Sequence, residues 1–436
     1  MFRNKFKRKL VTPFLLSAFG AIAAFSISYY RGLNNTSYPD AQEMIAQANG
    51  IAQGWHFLLS NPLLSKYPMG LPSLLAITFK ITGSSSLILI KFIFAICHGF
   101  SVYLVARIGI QMGLQRKLWI LAATCFAVDP FILSAATDLQ VECLVTLVVL
   151  WWAFIFITSA EDSRFRLILL ISFSITGFIA VTIRPNIIIP FLLVYGMLLY
   201  SWQREGLKKY HLGISVSCFV TLIIFFEIFL DKLYKGFVFL APNGGLNAVL
   251  SCRKEFIPQY LGLASPSENS RINQWYFGYL QDLTQSIHSK QPKLSIPALN
   301  HEYIAVAISS CVHRPLESIE VLALKSAALW RPFTVLGASG AKVWLISLLL
   351  WTPLTIATIW FVSKGRIYGV NAKLKSYFLL ISIGFTISLI VGATQIRHRI
   401  PFAEPFYWLF FFFFISEVLT KIEPFLSRWN MKLKRK

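Results

Sequence analysis

Residues 140–158 read QVECLVTLVVLWWAFIFIT, a run that contains one acid, no basic residue, no glycine and no proline. A helix that crosses a bilayer needs about 20 predominantly apolar residues, and this run is close to that length. Nine further segments have the same apolar character: 11–30, 84–107, 117–135, 167–183, 186–202, 212–230, 341–362, 376–394 and 402–420. The pattern predicts an all-α polytopic membrane protein with roughly 10–12 transmembrane helices.

Two apolar segments leave the number of crossings open. Residues 70–82 form a run too short to cross the bilayer unaided, and residues 316–330 are interrupted by Glu317, Glu320 and Lys325. Each segment fits an interfacial or half-inserted helix as well as a crossing.

The composition favours a lipid environment. Charged residues make up 14% of the 436 residues and hydrophobic residues 56%, whereas a soluble domain carries about 25% charged residues. A net charge of +22 also occurs in nucleic-acid-binding proteins. Here, however, the basic residues form short clusters between apolar runs, as the positive-inside rule describes for cytoplasmic loops. We therefore expect membrane lipids as partners and no nucleic acid.

These basic clusters also predict the orientation of the chain. If the N-terminus is cytoplasmic, the short basic connections and the basic tail 431–436 fall on the cytoplasmic side, so both termini lie there. The same orientation places two long segments outside, 31–69 and 231–340. No repeat or low-complexity linker divides the chain, so residues 1–436 are predicted to form a single membrane domain with two outer loops.

Two of the six cysteines, Cys252 and Cys311, fall in the second outer loop. A disulfide would join them if that loop faces an oxidising compartment. Spacing alone does not establish the pair.

The first outer loop contains an amphipathic pattern that begins at Asp40. Apolar residues at 41, 44, 45 and 48 predict a helix with one apolar face. Asp40 followed by Glu43 is the pattern of a helix cap with its capping-box partner. The functional interpretation is a carboxylate held at the membrane surface, where it can take a proton from an acceptor hydroxyl.

Residues 66–72 read KYPMGLP, and the two prolines and the glycine predict a sharp return of the chain into the membrane. Lys66, with Tyr67 beside it, is a candidate for binding a phosphate. The alternative is that the lysine simply reaches the interface with its ammonium group.

Asp138 and Glu142 lie at the outer end of a predicted span. They are four residues apart, so on a continuous helix they would share a face. An acid inside a span costs roughly 2.5–3.5 kcal/mol on insertion scales and usually marks a functional position. Glu142 precedes a long apolar run, which leaves two interpretations: a hydrated helix end or a member of an active site.

Arg397 and Arg399 immediately precede the last predicted span and lie on the outer side, against the positive-inside trend. Two arginines at that place need an anion, and the planar guanidinium group suits a phosphate. Lipid headgroups would satisfy them, as would one specific anionic ligand. Arg184, which precedes Pro185 at another outer turn, is a weaker case of the same kind.

Taken together, these motifs resemble the membrane glycosyltransferases of the GT-C type, and most of all the branch of protein O-mannosyltransferases and the bacterial aminoarabinose transferases of lipid A. The order of the motifs along nearly the whole chain carries the resemblance: Asp40 to Gly54, Tyr67 to Gly70, Pro130 with Glu142, Thr182 to Pro185, His313 to Lys325 and Trp330, and Arg397 to Pro401. Two positions depart from it. Ala41 stands where protein mannosyltransferases have a second acid, and Met44 stands where an aromatic residue is frequent.

The resemblance implies inverting transfer of a sugar from a polyprenyl-phosphate donor to a glycan, lipid or protein acceptor on the extracytoplasmic face of a cell envelope, here a bacterial inner membrane. Asp40 would be the general base and Glu142 the second acid of the pocket. Arg397, Arg399 and Lys66 would hold the phosphate, so no metal or other cofactor is expected. The alternatives are a transporter or flippase of lipid-linked glycans and a surface-polysaccharide polymerase.

Overall fold

The computed structural model describes the chain in segments: 2–36, 39–54, 67–158, 163–238, 240, 244–249, 253–261, 264–291, 294–332, 336–364, 367–390 and 400–433. Regular structure in these segments is helical throughout, and they contain no β-strand. The predicted all-α architecture is therefore confirmed.

The described residues of the N-terminal half form ten α-helices. They are α1 Phe2–Tyr30, α2 Pro39–Gln53, α3 Gly70–Thr82, α4 Ile88–Gln111, α5 Arg116–Val128, α6 Pro130–Thr137, α7 Val141–Ile157, α8 Ser163–Ile183, α9 Ile188–Arg204 and α10 Lys209–Tyr234. A short 3-10 helix, Pro185–Ile187, joins α8 to α9.

The C-terminal half begins with an outer segment of short and medium helices and ends with three long ones. The helices are α11 Gly244–Val249, α12 Ile257–Leu261, α13 Pro266–Lys290, α14 Ile296–His313, α15 Pro315–Trp330, α16 Leu336–Ser363, α17 Gly369–Ile390 and α18 Glu404–Leu433. A 3-10 helix, Lys254–Phe256, precedes α12.

Eight helices in the described segments are long and apolar enough to cross a membrane: α1, α4, α8, α9, α10, α16, α17 and α18. The bent pair α5–α6 adds one candidate crossing, and α7 is a shorter apolar helix of 17 residues. Each of the ten segments predicted to cross therefore corresponds to one of these helices or to the bent pair. The chain is a multi-pass membrane protein by the length and composition of its helices.

The predicted span 117–135 differs from the structure, because two helices meet there at an angle of 50°. The break is at Asp129, whose extended ψ of 121° places Pro130 at the start of α6. The Asp129 carboxylate accepts hydrogen bonds from the backbone N–H groups of Phe131 and Ile132, so it caps α6. A proline at the first helical position and a side-chain cap together begin a new helix in the middle of an apolar run.

The two ambiguous segments form helices that do not have the character of a full span. α3 contains 13 residues, which is about 20 Å of helix and short of a hydrocarbon core about 30 Å thick. α15 carries Glu317, Glu320 and the fully buried Lys325, and it is not among the candidate spans.

The main helix contacts of the bundle involve the helices that carry or flank the predicted acids. α1 lies along α4, and α4 also packs against α5 and α7. α8 packs against α10, and α9 packs against α17. α2 lies on α3, so Asp40 and its neighbours rest on this short apolar helix. α3 and α7 each pack against α8, and these contacts bring α2, α3, α7 and α8 together.

The outer segment between α10 and α16 has two small apolar clusters of its own. One forms around Phe256, Tyr260 and Val321, and the other around Val249, Ile287 and Tyr303. Cys311 is disulfide-bonded, whereas Cys252, the predicted partner, lies outside the described residues. The four remaining cysteines, all in membrane helices, are free thiols.

Candidate functional site

Asp40 stands in the first turn of α2, and the amphipathic pattern of this helix is confirmed. Ala41, Met44 and Ala48 are buried, while Asp40 is partly exposed. The helix begins at Pro39, so Asp40 lies inside the first turn rather than at the cap position. Its negative charge near the helix N-terminus is favourable.

Asp40 and Glu43 share one hydrogen-bond donor. The Tyr67 hydroxyl donates to Asp40 Oδ1 at 3.1 Å and also contacts the Glu43 carboxylate. Tyr67 is held in turn by the Gln47 side chain, whose Nε2 donates to the Tyr67 carbonyl and whose Oε1 accepts from the Tyr67 N–H. One tyrosine therefore joins two acids of α2 to the beginning of α3.

Burial raises the pKa of the Tyr67 hydroxyl far above its usual value, and the nearby charges of Glu43 and Asp40 raise it further. A phenol next to two carboxylates stays protonated, because losing its proton would place a third negative charge among them. Tyr67 therefore acts as a permanent donor that holds the Asp40 carboxylate in place.

Glu142 and Arg184 form a buried ion pair. The Arg184 guanidinium donates to Glu142 Oε1 at 3.2 Å, and their side chains are only 9% and 4% exposed respectively. Glu142 lies in the first turn of α7, and Arg184 follows the last residue of α8. Asp40 lies near enough for its charge to act on Glu142. Asp40 therefore lies within electrostatic range of Glu142, and Tyr67 and Arg184 each bind one of these two acids.

The prediction that Asp138 and Glu142 share a face of one helix is wrong. α6 ends at Thr137, and Leu139 adopts a left-handed conformation with φ of 55°, so Asp138 lies in the turn between α6 and α7, whereas Glu142 lies in α7. Asp138 instead accepts from the Arg31 guanidinium at 3.1 Å. The Ser134 hydroxyl donates to the same carboxylate oxygen at 3.2 Å.

Two cations at this end of the bundle were not singled out from the sequence. Lys91 is almost completely buried, and its ammonium donates to the carbonyls of Gly32 and Asn35 at 3.2 and 2.6 Å. Arg31 reaches Asp138 from the end of α1, with its side chain 47% exposed. Lys91 lies inside the apolar run 84–107, and a charged residue within such a run usually marks a functional position. The sequence therefore contained the signal for Lys91.

The outer helix α13 contributes to the surroundings of Asp40. Burial is the main cause that raises the pKa of Tyr276, and the charge of Asp40 is the second. Tyr276 therefore lies within electrostatic range of the carboxylate, and α13 approaches α2.

Three of the predicted phosphate-binding residues, Lys66, Arg397 and Arg399, lie outside the described residues. Arg184, predicted as a fourth, is engaged by Glu142. The described segments hold no group of three or more histidine, cysteine, aspartate or glutamate side chains arranged to bind a metal ion.

The arrangement suits proton transfer at a membrane boundary. A partly exposed carboxylate, held by a tyrosine, lies beside a buried acid whose charge is balanced by arginine. No protein-family model matches the chain, and no curated protein matches it at a significant level.

Proposed function

We propose that this protein is an inverting membrane glycosyltransferase that moves a sugar from a polyprenyl-phosphate donor to an acceptor on the extracytoplasmic face. The observation that carries the proposal is that Asp40 lies within electrostatic range of the buried Glu142–Arg184 pair. The motif order of the GT-C type predicts that these two acids share a pocket. Their proximity is therefore the arrangement that this reaction requires.

In the proposed reaction the acceptor hydroxyl loses its proton to the Asp40 carboxylate, and its oxygen forms a bond to the anomeric carbon. The bond from that carbon to the phosphate oxygen breaks, and the electron pair leaves with the phosphate. Attack from the face opposite the leaving group inverts the anomeric centre. Cations that neutralise the leaving phosphate lower the barrier most, and Lys66, Arg397 and Arg399 are proposed for that task.

The side chains around Asp40 have supporting roles in this proposal. Tyr67 holds the carboxylate in position through its hydroxyl. Arg184 balances the charge of Glu142, so a second acid can stay next to Asp40 without repelling it strongly. Arg31 is half-exposed and adds positive charge beside Asp138.

The disulfide at Cys311 supports the sidedness of the proposal. Disulfides persist in oxidising compartments, and Cys311 lies in the outer segment 231–340. An extracytoplasmic location of this segment, cytoplasmic termini and residence in a bacterial inner membrane all belong to the proposal.

The test is Asp40→Asn in the purified full chain, assayed with a radiolabelled polyprenyl-phosphate sugar. A general base contributes about 10²- to 10⁴-fold, so we expect a loss of at least about 100-fold with normal membrane insertion. Asp282→Asn is the matched control, because Asp282 is an exposed acid on α13. Full transfer by the Asp40 variant would overturn the mechanism.

The same preparation separates the alternatives. A transporter or flippase reconstituted in vesicles would move the lipid-linked sugar across the bilayer without forming a glycosidic bond. A polymerase would extend a glycan and release the lipid carrier. Movement of the intact donor without transfer would reject the glycosyltransferase proposal in favour of transport.

A further inference from the structure

Residues 31–36 join α1 to the segment that leads into α2, and we refer to them as the α1–α2 turn. The backbone N–H of Asn35 donates to the Gly32 carbonyl at 3.0 Å, and the Asn35 side chain donates to the Arg31 carbonyl at 3.3 Å. These two bonds close the turn locally. α2 carries Asp40 in its first turn, so whatever fixes the α1–α2 turn also affects where Asp40 lies.

Lys91, near the start of α4, binds the α1–α2 turn with a buried cation. The residue is 1% exposed, and its ammonium donates to the Gly32 carbonyl at 3.2 Å and to the Asn35 carbonyl at 2.6 Å. The Gly32 carbonyl therefore accepts both from the turn itself and from Lys91. A cation in an apolar helix is expensive and usually marks a function, and here its donors are directed at the main chain of one turn.

The charges around Lys91 favour this use of its ammonium. Asp138 and Arg31 both lie near enough for their charges to act on Lys91. Arg31 donates to the Asp138 carboxylate at 3.1 Å, so two cations lie near one acid. The acid offsets part of the cost of burying positive charge. A charged donor makes a stronger hydrogen bond to a carbonyl than a neutral donor does, which suits Lys91 to holding a turn that has no regular structure.

Two further contacts attach the α1–α2 turn to its neighbours. Asn34 Oδ1 accepts from the backbone N–H of Leu87, immediately before α4, at 3.0 Å. Thr36 Oγ1 donates to the Asp138 carbonyl at 3.4 Å. The turn is therefore bound both to the beginning of α4 and to the turn before α7, the helix that carries Glu142.

Gln42 connects the α1–α2 turn to α2. Its Nε2 donates to the Thr36 carbonyl at 3.2 Å, and it lies two residues after Asp40 in the same helix. The Tyr67 hydroxyl holds the Asp40 carboxylate directly, whereas the turn holds the helix on which Asp40 lies. A misplacement of about 1 Å can cost about 10²-fold in rate, so the position of this helix matters for a general base.

We propose that Lys91 is a positioning residue for Asp40, because it fixes the α1–α2 turn and the turn fixes the start of α2. This proposal rests on the proposed function, since it takes Asp40 as the general base. Lys91 itself touches no substrate, because its ammonium is buried and is used by two main-chain carbonyls. Its role therefore differs from that of the cations proposed to neutralise the leaving phosphate.

The first experiment is the kinetics of Lys91→Met in the full chain, assayed with a radiolabelled polyprenyl-phosphate sugar. Methionine keeps an unbranched side chain and removes the donor and the charge. We expect kcat to fall about 10- to 100-fold with KM for the donor unchanged, because the base is displaced while the donor site is intact. Lys80→Met is the control, because Lys80 is an exposed lysine on α3. A higher KM with unchanged kcat would show a donor-binding lysine and overturn the proposal.

Hydrogen–deuterium exchange on the same variant supplies a readout that needs no substrate. The backbone amides of residues 43–48 in α2 should exchange about tenfold faster in Lys91→Met, as expected for a helix whose start is loosened. Exchange in α7 should be unchanged. Unchanged exchange in α2 would overturn the proposal. Equal acceleration in α2 and α7 would also overturn it, since Lys91 would then support the whole bundle.

Should Lys91→Met fail to fold, Gln42→Leu tests the same connection at an exposed side chain. It removes the bond to the Thr36 carbonyl, so kcat and exchange in α2 should change in the same direction. Gln53→Leu, at the exposed end of α2, is the matched control, and equal behaviour of the two variants would overturn the proposal.

Exchange needs no transfer, so the two proposals fail separately. Faster exchange of α2 in Lys91→Met, in a protein that transfers no sugar, would reject the function and support the hold of Lys91 on α2. Normal transfer by the unaltered protein, with α2 exchange unchanged in Lys91→Met, would do the reverse.

Discussion

Glu142 and Arg184 form an ion pair with almost no exposure to solvent, and the chemistry of that pair decides how it responds to substitution. Taking two charges out of water is expensive, and their mutual attraction offsets that cost only while both are present. Removing one partner leaves the other charged and buried. Replacing both by neutral groups of similar size is far less costly.

We therefore predict that Arg184→Met destabilises the protein by about 3–5 kcal/mol. The double variant Glu142→Gln/Arg184→Met should recover most of that stability but not the activity. Thermal unfolding in detergent, followed by intrinsic fluorescence, measures the first effect, and sugar transfer measures the second.

The control for these variants is Arg314→Met. Arg314 pairs with Glu317 at 3.5 Å, and the two side chains are 66% and 43% exposed, so the loss of this pair should cost about 0–1 kcal/mol. A double variant no more stable than Arg184→Met would contradict the argument from burial.

Tyr67 supplies a second prediction at the residue scale. Tyr67→Phe keeps the ring and removes the donor that stabilises the charged form of the Asp40 carboxylate. The base must be deprotonated to act, so the acid limb of the pH profile should move to higher pH. The shift should be about one to two pH units, since a hydrogen bond to a charged group is worth about 1.5–3 kcal/mol and one pKa unit about 1.4 kcal/mol.

The measurement for Tyr67→Phe is kcat/KM for transfer as a function of pH. Tyr30→Phe, at a tyrosine that is 92% exposed, is the control. An unchanged profile with uniformly lower activity would mean that the hydroxyl only supports packing.

At the scale of elements, the contact between α3 and α8 sets the distance between the two halves of the site. A Cβ added to Gly70 would lie 2.7 Å from the backbone nitrogen of Ile183. Gly70 begins α3 just after Tyr67, and Ile183 ends α8 just before Arg184. The absence of a side chain at Gly70 therefore allows α3 to pack closely against the end of α8.

Gly70→Ala should push α3 from α8, and we predict a loss of about 1–3 kcal/mol of stability, as overpacking usually causes. Transfer activity should fall as well, because Asp40 moves with Tyr67. Gly213→Ala in α10 is the matched control, since nothing lies within 4 Å of its Cβ. That control should stabilise its helix by about 0.5–1 kcal/mol. Equal behaviour of the two variants would show that the close approach at Gly70 is unimportant.

The break between α5 and α6 shows what a hydropathy pattern omits at the element scale. An apolar run predicts a helical segment but not its direction, and Asp129–Pro130 changes that direction within the run. The Asp129 carboxylate also accepts from Trp408 Nε1 at 3.1 Å, which ties the bend to α18. The proline was visible in the sequence, whereas the tryptophan partner was not.

At the scale of the whole molecule, the orientation of the bundle is open to a direct test. We predict that a cysteine at position 282 reacts with a membrane-impermeant maleimide from outside intact cells. A cysteine at position 204 should react only after the membrane is opened. Both positions are exposed, and the native free thiols lie in membrane helices. Labelling of both positions from the same side would reject the proposed topology.

The sequence by itself determined the all-α multi-pass architecture, because a backbone in lipid must satisfy its own hydrogen bonds and a helix does so locally. Apolar length and turn residues are sufficient information for that outcome. Only the tertiary structure decided which polar side chains form hydrogen bonds and ion pairs with each other. Tyr67 joins Asp40 across 27 residues, Arg184 joins Glu142 across 42, and Arg31 joins Asp138 across 107. Those pairs depend on how helices pack, and packing is set by contacts between segments that no local pattern contains.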